Sequence, residues 1–506
     1  MNLLVLKKYI FILGLFVVGD FVILTLWSDS FSPSIDRVRT NVLVEPLAPI
    51  RFAPATGPLR VHPTNPRYFT DGNGRTIYLT GSHTWSNLQD AGRTDPPPRF
   101  HYRAYLDFLQ AYHHNFFRLW AWEQSKWTNE TAENYWIAPM PFRRGGSDLA
   151  LDGKPRFDLS QFNQAYFDRL RQRVIAAGQR GFYVAVVLFN GWSIEAVKGG
   201  FALHNPWRGH PFNSKNNMNG IDGDPNSDNS GSEIHTLQLP AITAIQEAYV
   251  RKVIDVLNDL DNVLFEISNE SHNKSKNWQY HMITYIKNYE MSKPKQHPVG
   301  MSVAWPGGDN ADLFASPADW IAPNSNGGYR DQPPVANGSK VIIADTDHLW
   351  GIGGDRQWVW KSFLRGLNPI FMDGYDGKAT GQGAAGFAPL SPIWVSLRRN
   401  LGYTLTYAHR INLAAMTPRG DLISTGYCLA HPVENGAEYL AYLPTGGNVT
   451  LDLTATTEEL AVEWFNPHTG ETLSGTTSQG GARRVFTAPF TGDAVLYVYA
   501  SHRLTP

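Results

Sequence analysis

A single cysteine, Cys428, in 506 residues excludes an internal disulfide, a CxxC redox centre and a cysteine-rich zinc site. Charge is also scarce. Charged residues make up 18% of the chain and the formal net charge is −1, so nothing indicates nucleic acid or an acidic surface as a partner. No Gly-rich phosphate loop follows the first strand-like run, which disfavours a nucleotide fold. His83, His272 and His348 lack the HExxH or paired-His spacing of a metal site, so neither a metal nor a cofactor is expected. Aromatics are what the chain has in excess: 16 Trp, 22 Tyr and 26 Phe. They fit a large aromatic core or a surface for stacking sugar rings, and composition does not separate the two.

An apolar run from Tyr9 to Trp27 follows Lys7 and Lys8 and is interrupted only by Gly14, Gly19, Asp20 and Thr25. It is long enough to span a bilayer, with the lysines holding its start on the cytoplasmic side. Ser28-Asp-Ser-Phe is a poor cleavage site, which favours an uncleaved signal-anchor over a secretory peptide; Asp20 within the run argues the other way. Both readings put the remainder outside the cytoplasm. Residues 1–30 are thus read as the signal segment and 31–58 as a tether.

From Gly57 the pattern is that of a folded domain. Asp71-Gly-Asn-Gly74 between two strand-like runs predicts a hairpin. Strands are then expected at Ile77–Trp85, Asn115–Trp122, Phe182–Asn190, from Asn262 into Asn269-Glu270, and at Val299–Trp305, Trp320–Asn324, Val341–Asp345 and Pro369–Asp373. Helical stretches separate most of them: Tyr102–Tyr112, Asn163–Gly178, Ala241–Leu260, Trp278–Tyr289, Gln357–Arg365 and Pro392–Ala408. Eight strands so spaced predict an α/β fold, a (β/α)8 TIM barrel over residues 59–414. After about residue 415 short alternating strands predict a small antiparallel β-sandwich over residues 415–506.

Each barrel strand ends in groups suited to a polyhydroxylated ligand. In strand order these are His83 and Trp85; Arg118, Trp120 and Trp122; Asn190 and Trp192; Asn269 and Glu270; Trp305; Asn324; Asp345, Asp347 and His348; and Asp373 and Tyr375. Trp127 and Trp136, after the second strand, suit packing equally well. Glycosidic cleavage needs two carboxyl groups across the scissile bond. The ends of strands four and seven face each other across a barrel mouth, so Glu270 can oppose Asp345 or Asp347.

The expected function is a glycoside hydrolase cleaving an extracellular poly- or oligosaccharide. The rival is a non-catalytic carbohydrate-binding or adhesion protein on the same scaffold, which needs no opposed carboxylates. In the segment 222–233, oxygen-bearing side chains stand at the ligand positions of a calcium loop, but Ser227 replaces its glycine and no clear helix precedes it. A solvated acidic loop is the expectation there.

Asn115-Phe-Phe-Arg118, Glu266-Ile-Ser-Asn-Glu270 and the apolar strand into Asp345 resemble the clan A glycoside hydrolases, retaining (β/α)8 enzymes. The strand leading to His83-Thr-Trp85 looks like the apiosidase-like branch. Glu463-Trp-Phe-Asn-Pro-His-Thr-Gly470 and Phe490-Thr-Gly-Asp-Ala-Val-Leu496 are similar to the C-terminal domain labelled "putative collagen-binding" in that branch. The resemblance implies Glu270 as acid/base, Asn269 as a ligand of the sugar 2-hydroxyl and Arg118 beside the nucleophile. That nucleophile is usually Glu, and here Asp345 and Asp347 stand in its place. Counted from the apolar run, Asp345 aligns best with the nucleophile, with Asp347 and His348 orienting it or the sugar. Asp347 shares its strand-face parity and is the other candidate.

Overall fold

The computed structural model describes residues 53–129, 133–195, 202–375 and 391–501. The signal segment and the tether as far as Phe52 lie outside the described residues. Among the described residues no helix is long and apolar enough to cross a membrane.

The centre of the fold is a parallel sheet of eight strands: β1 (Gly81–His83), β2 (Phe116–Trp120), β3 (Tyr183–Asn190), β4 (Val263–Asn269), β5 (Val299–Ser302), β6 (Trp320–Ala322), β7 (Val341–Asp345) and β8 (Asn368–Met372). Their order is β1-β8-β7-β6-β5-β4-β3-β2, a curled sheet that closes where β1 meets β2. At that seam the Thr80 carbonyl accepts from the backbone N–H groups of Asn115 (3.0 Å) and Phe116 (3.2 Å). The Asn115 side chain adds two bonds, accepting from Thr80 N (2.9 Å) and donating to the Tyr78 carbonyl (2.8 Å). A Cβ at Gly81 would run into the Phe116 carbonyl, so the absent side chain allows the strands to approach. The (β/α)8 barrel expected from the strand spacing is what the chain forms.

Every residue of β2, β3, β4 and β7 is buried, as their near-continuous apolar runs require for a parallel sheet covered on both faces. Leu79, Phe116, Ala185, Leu264, Trp320, Ile343 and Ile370 fill the barrel interior. At Gly300 a Cβ would overlap the Trp320 indole, so glycine makes room for the largest plug. Outside the strands lie α1 (Tyr102–Ala111), α2 (Gln164–Gly178), α3 (Pro240–Leu257), α4 (Lys276–Glu290), α5 (Asn310–Ala315), the single turn α6 (Thr346–Leu349), α7 (Arg356–Leu364) and α8 (Pro392–Arg410). The side chain of Asn163 caps α2 by accepting from Ala165 N, so that helix starts where the sequence places it.

Two regions differ from expectation. The first predicted strand divides: Thr76–Ile77 pairs with Phe69–Thr70 in a separate antiparallel sheet, and only Gly81–His83 joins the barrel. The stretch after β2, where no strand is predicted, contains a hairpin (Phe142–Leu149 with Pro155–Phe162). It also supplies two strands, Lys126–Asn129 and Asn134–Ala138, to a sheet shared with Asp90–Gly92 and Ala202–His204. Apart from Leu149 and Pro155, the exposed residues of the hairpin strands are polar or glycine, so it carries no long apolar run to announce it.

Beyond α8 the chain forms an antiparallel sheet in the order Thr417–Pro418, Cys428–His431, Glu438–Leu443, Ala494–Ala500, Glu459–Phe465, Thr472–Ser474. A two-stranded sheet, Asn448–Asp452 with Arg483–Thr487, faces it. Alternation splits the large sheet cleanly. Tyr439, Ala441, Leu460, Leu496 and Val498 pack toward Val449 and Leu451 of the small sheet. Leu440, Tyr442, Phe465, Val495 and Tyr497 pack toward Trp360, Phe363, Leu364, Leu405 and Tyr407 of α7 and α8. Ion pairs rim this second contact, Arg356 to Asp493 and Arg410 to Glu463, each with a closest approach of 2.8 Å.

Candidate active site

Strand alternation builds the site. On β2, Phe116 faces the barrel interior while Phe117 and Leu119 face the helices, so Arg118 points inward. On β4, Leu264 faces in and Phe265 and Ile267 face out, which turns Glu266 inward; on β7 the same rule turns Asp345 inward. These side chains form a polar layer above the apolar plug.

Arg118 joins the layer. It donates to Glu266 through Nε (2.8 Å) and Nη2 (2.6 Å), to Asp345 Oδ2 through Nη1 (2.9 Å) and to Asn269 Oδ1 through Nη2 (2.9 Å). Nη1 also lies 3.5 Å from Asp347 Oδ2. The guanidinium carbon sits 4.5 Å from the centroid of the Trp120 ring. Burial works against its charge, but Glu266, Asp345 and Asp347 outweigh burial and hold the Arg118 pKa well above its usual value. Ser302 from β5 donates to Glu266 as well.

Asp345 is 0% exposed and its oxygens are engaged on every side. Oδ2 takes the bond from Arg118, and Oδ1 accepts from the Asp347 backbone N–H (3.0 Å), capping α6. The third partner is His83. Trp120 Nε1 donates to His83 Nδ1 (3.1 Å), which leaves the histidine proton on Nε2 to be donated to Asp345 Oδ1 (3.0 Å). Burial would raise the Asp345 carboxyl, yet His83 and Arg118 hold it well below the usual carboxylate range.

Asp347 is differently placed. α6 begins at Thr346, so the strand alternation that paired Asp347 with Asp345 stops before it reaches Asp347. Its side chain keeps 9% exposure. Burial pushes its carboxyl well above the usual range, and the negative charges of Glu270 and Asp345 push the same way, against Arg118. Glu270, first beyond β4, is half-buried and has a left-handed backbone, φ +48°. His348 contacts Asn269 Oδ1 at 3.3 Å, and burial followed by the charge of Arg118 pushes its imidazole down to about 3.

The structure therefore brings together His83, Arg118, Trp120, Asn269, Glu270, Asp345, Asp347 and His348. The other predicted residues fall elsewhere or serve packing. Trp192 is buried, packing edge-on against Trp122 (5.4 Å between centroids) and Trp127 (4.7 Å). Trp85 is half-buried beside this cluster, and its carbonyl accepts from Trp122 Nε1. Asn190 caps the following turn through Trp192 N and is itself buried. Asn324 spends its side chain on the loop carbonyl of Gly308 and the N–H of Asn326. Trp305 remains 38% exposed, and its N–H donates to the Ser271 carbonyl, beside Glu270.

Asp373 and Tyr375 correct the expectation for the eighth strand end. Asp373 is 1% exposed and is paired bidentately with the equally buried Arg398 of α8, both bonds at 2.7 Å. Tyr375 packs edge-on among Tyr105 and Phe108. Asp373→Asn is therefore expected to leave an uncompensated buried cation and cost roughly 3–5 kcal/mol of stability, with little change in ligand affinity. Calorimetric unfolding beside a binding isotherm checks this; weakened binding at unchanged stability would count against it.

Sequence reasoning passed over Glu266, Ser302 and Glu123. A carboxylate inside the apolar run of β4 was the available signal for Glu266. Glu123 gave none, because its partners His210 and His235 arrive from 87 and 112 residues away along the chain. Among the described residues, one group of three His, Cys, Asp or Glu converges as metal ligands would, Asp345, Asp347 and His348, within 4.8 Å of one another. Arg118 already lies against two of them, so a dication there would meet a buried positive charge. In segment 222–233 the carboxylates cap backbone N–H groups of their own loop, Asp222 that of Asp224, Asp224 those of Asp228 and Asn229.

Two family models match the chain: "Domain of unknown function (DUF6298)" over residues 128–310 and "Putative collagen-binding domain of a collagenase" over residues 425–498. No curated protein matches it. A glycoside hydrolase family 5 structure from Bacteroides vulgatus ATCC 8482 is similar with a TM-score of 0.55 at 13% identity, covering 88% of this chain and 93% of that one. Another structure, described as a glycoside hydrolase, is similar with a TM-score of 0.53 at 13% identity, covering 88% and 97%. At such identity the likeness is one of fold. This chain shares its (β/α)8 barrel fold with those glycoside hydrolase structures, and its C-terminal β-domain is the part that the putative collagen-binding model matches.

Proposed function

We propose that the protein is a retaining glycoside hydrolase of the apiosidase-like branch, with Glu270 as acid/base and Asp347 as nucleophile. The observation that carries this is the arrangement around Arg118, which reaches Asp347 just past β7 (3.5 Å) and Asn269, the neighbour of Glu270 at the end of β4 (2.9 Å), on facing sides of the barrel mouth. Two neighbouring carboxyls titrate as a pair. The reaction requires Asp347 as the carboxylate, a form that Arg118 at 3.5 Å favours, against the burial and the charges of Glu270 and Asp345 that raise its carboxyl. The charged member attacks the anomeric carbon while the protonated one delivers its proton to the leaving oxygen. Water then enters, with Glu270 as base.

Asp345 is passed over because its oxygens are already committed to Arg118, His83 and the α6 cap. It acts through Asp347, whose backbone it fixes. Asn269 accepts from Arg118 and His348 through Oδ1, which turns its amide nitrogen outward as a donor for the sugar 2-hydroxyl. Trp305, with its exposed ring, is assigned to stack on a sugar. The substrate is taken to be an extracellular poly- or oligosaccharide, on the strength of the apolar run after Lys7 and Lys8.

A panel of polysaccharides and aryl glycosides, with the anomeric configuration of the first product followed by NMR, tests the reading. Glu270→Gln is expected to lower turnover of an unactivated substrate about 10²–10⁴-fold at unchanged thermal stability. Near-wild-type turnover in that variant would remove Glu270 from the mechanism, and an inverted first product would make Asp347 a base rather than a nucleophile.

A further inference from the structure

The backbone of Glu270 is strained. A left-handed φ of +48° is disfavoured in a non-glycine residue and persists only where the surroundings impose it. Two contacts impose it here. On one side Gly191, the first residue past β3, lies against the Glu270–Ser271 peptide. A Cβ on Gly191 would fall within 2.5 Å of the Glu270 carbonyl oxygen, Ser271 Cα and Ser271 N. On the other side Ser271 is tied down at both its backbone and its hydroxyl. Its carbonyl accepts from Trp305 N (2.9 Å), and its Oγ is shared between Ser268 Oγ (2.6 Å) and His235 Nδ1 (3.0 Å).

His235 is itself held in place. Its ring stacks on Trp278 with centroids 4.3 Å apart, and Nε2 lies 3.5 Å from Glu123 Oε2. Glu123 in turn accepts from the backbone N–H of Asn190 (2.6 Å), the residue before Gly191. The contacts thus close a ring through Asn190, Glu123, His235, Ser271, Glu270 and Gly191. His235 and Ser271 are wholly buried, and neither reaches the carboxylates of the polar layer through any hydrogen bond of its own.

We infer that Gly191, Ser271 and His235 are positioning residues that clamp Glu270 in its left-handed conformation and so aim its carboxyl at the leaving-group oxygen. The inference rests on the reading of Glu270 as acid/base. A general acid works only within hydrogen-bond reach of the atom it protonates, so a small backbone shift at Glu270 is felt in proton donation first. An aryl leaving group that departs without protonation is insensitive to the same shift. A clamp that served folding alone would not distinguish the two substrates.

The experiment compares kcat/KM, which reports the bond-breaking step, for the methyl and 2,4-dinitrophenyl glycosides of the sugar that the panel identifies. Gly191→Ala is expected to lose about 100-fold on the methyl glycoside and less than about 5-fold on the dinitrophenyl glycoside. Ser271→Ala, which removes a hydroxyl without crowding the peptide, is expected to show the same asymmetry at roughly 10-fold, and decides the matter if Gly191→Ala does not fold. Equal losses on both substrates, or no loss on either, with an active wild-type enzyme overturn the clamp and leave the acid/base assignment standing. A wild-type protein that turns over neither glycoside overturns both.

Discussion

Asp347→Asn is expected to reduce turnover by about 10⁴-fold or more, as loss of a nucleophile does in enzymes whose catalytic groups act as a unit. Asp345→Asn is expected to lose far less activity and to unfold at lower temperature. The two aspartates are two residues apart but do different work in the structure. Asp345 is 0% exposed and neutralised by Arg118, and replacing it by a neutral amide breaks a buried ion pair. Asp347 retains some exposure and lies within electrostatic reach of Glu270. A 2-fluoro glycoside that forms a stable covalent adduct, located by peptide mass spectrometry, reads the nucleophile directly. An adduct on Asp345, or an active Asp347→Asn beside a dead Asp345→Asn, reverses the assignment.

The second large effect concerns stability. Ending the chain after Arg410 would strip the cover from Trp360, Phe363, Leu364, Leu405 and Tyr407. At roughly 1.5–3 kcal/mol for each large apolar side chain, the loss is about 8–15 kcal/mol, comparable to the whole stability of an ordinary domain. The truncated barrel is expected to be insoluble or to lose its cooperative thermal transition, although the C-terminal sheets contribute none of the residues gathered at the barrel mouth. Solubility on expression and calorimetric unfolding are the measurements. A soluble monomer unfolding near the full-length temperature would show the contact to be dispensable. If such a monomer also lost turnover of a small soluble substrate, the C-terminal sheets would have to act on the site.

Much of this arrangement was legible in the sequence, for a physical reason. A strand buried on both faces must be apolar until it emerges, so polar residues at the end of such a run mark the barrel mouth; β4 into Asn269-Glu270 and β7 into Asp345 read this way. Reasoning failed where that premise lapsed. Alternation was carried past Asp345 into a helical turn, where it has no meaning. Asp345, the last residue of β7, caps that turn and pairs with Arg118. At β8 the polar residues were read as open to ligand, yet Arg398, supplied by α8, covers Asp373. No local pattern announces a partner 25 residues away. The hairpin after β2 escaped notice because the exposed residues of its strands are mostly polar or glycine, and Glu123 because its partners are distant in sequence.

The order of strands in the C-terminal sheet bears on how the chain is made. Ala494–Ala500 lies between Glu438–Leu443 and Glu459–Phe465, so a central strand of that sheet leaves the ribosome after both of its neighbours. Until it is available, the surface that covers α7 and α8 is incomplete, and the face around Trp360 and Tyr407 stays wet. At about 5–20 residues per second, the roughly 90 residues between the end of α8 and that strand represent an interval of about 5–18 s. During it the barrel exposes an aromatic patch beside unpaired strand edges. A nascent chain in that state is a natural client for a holding chaperone, and its yield should depend on translation speed beyond residue 410 more than on translation speed through the barrel.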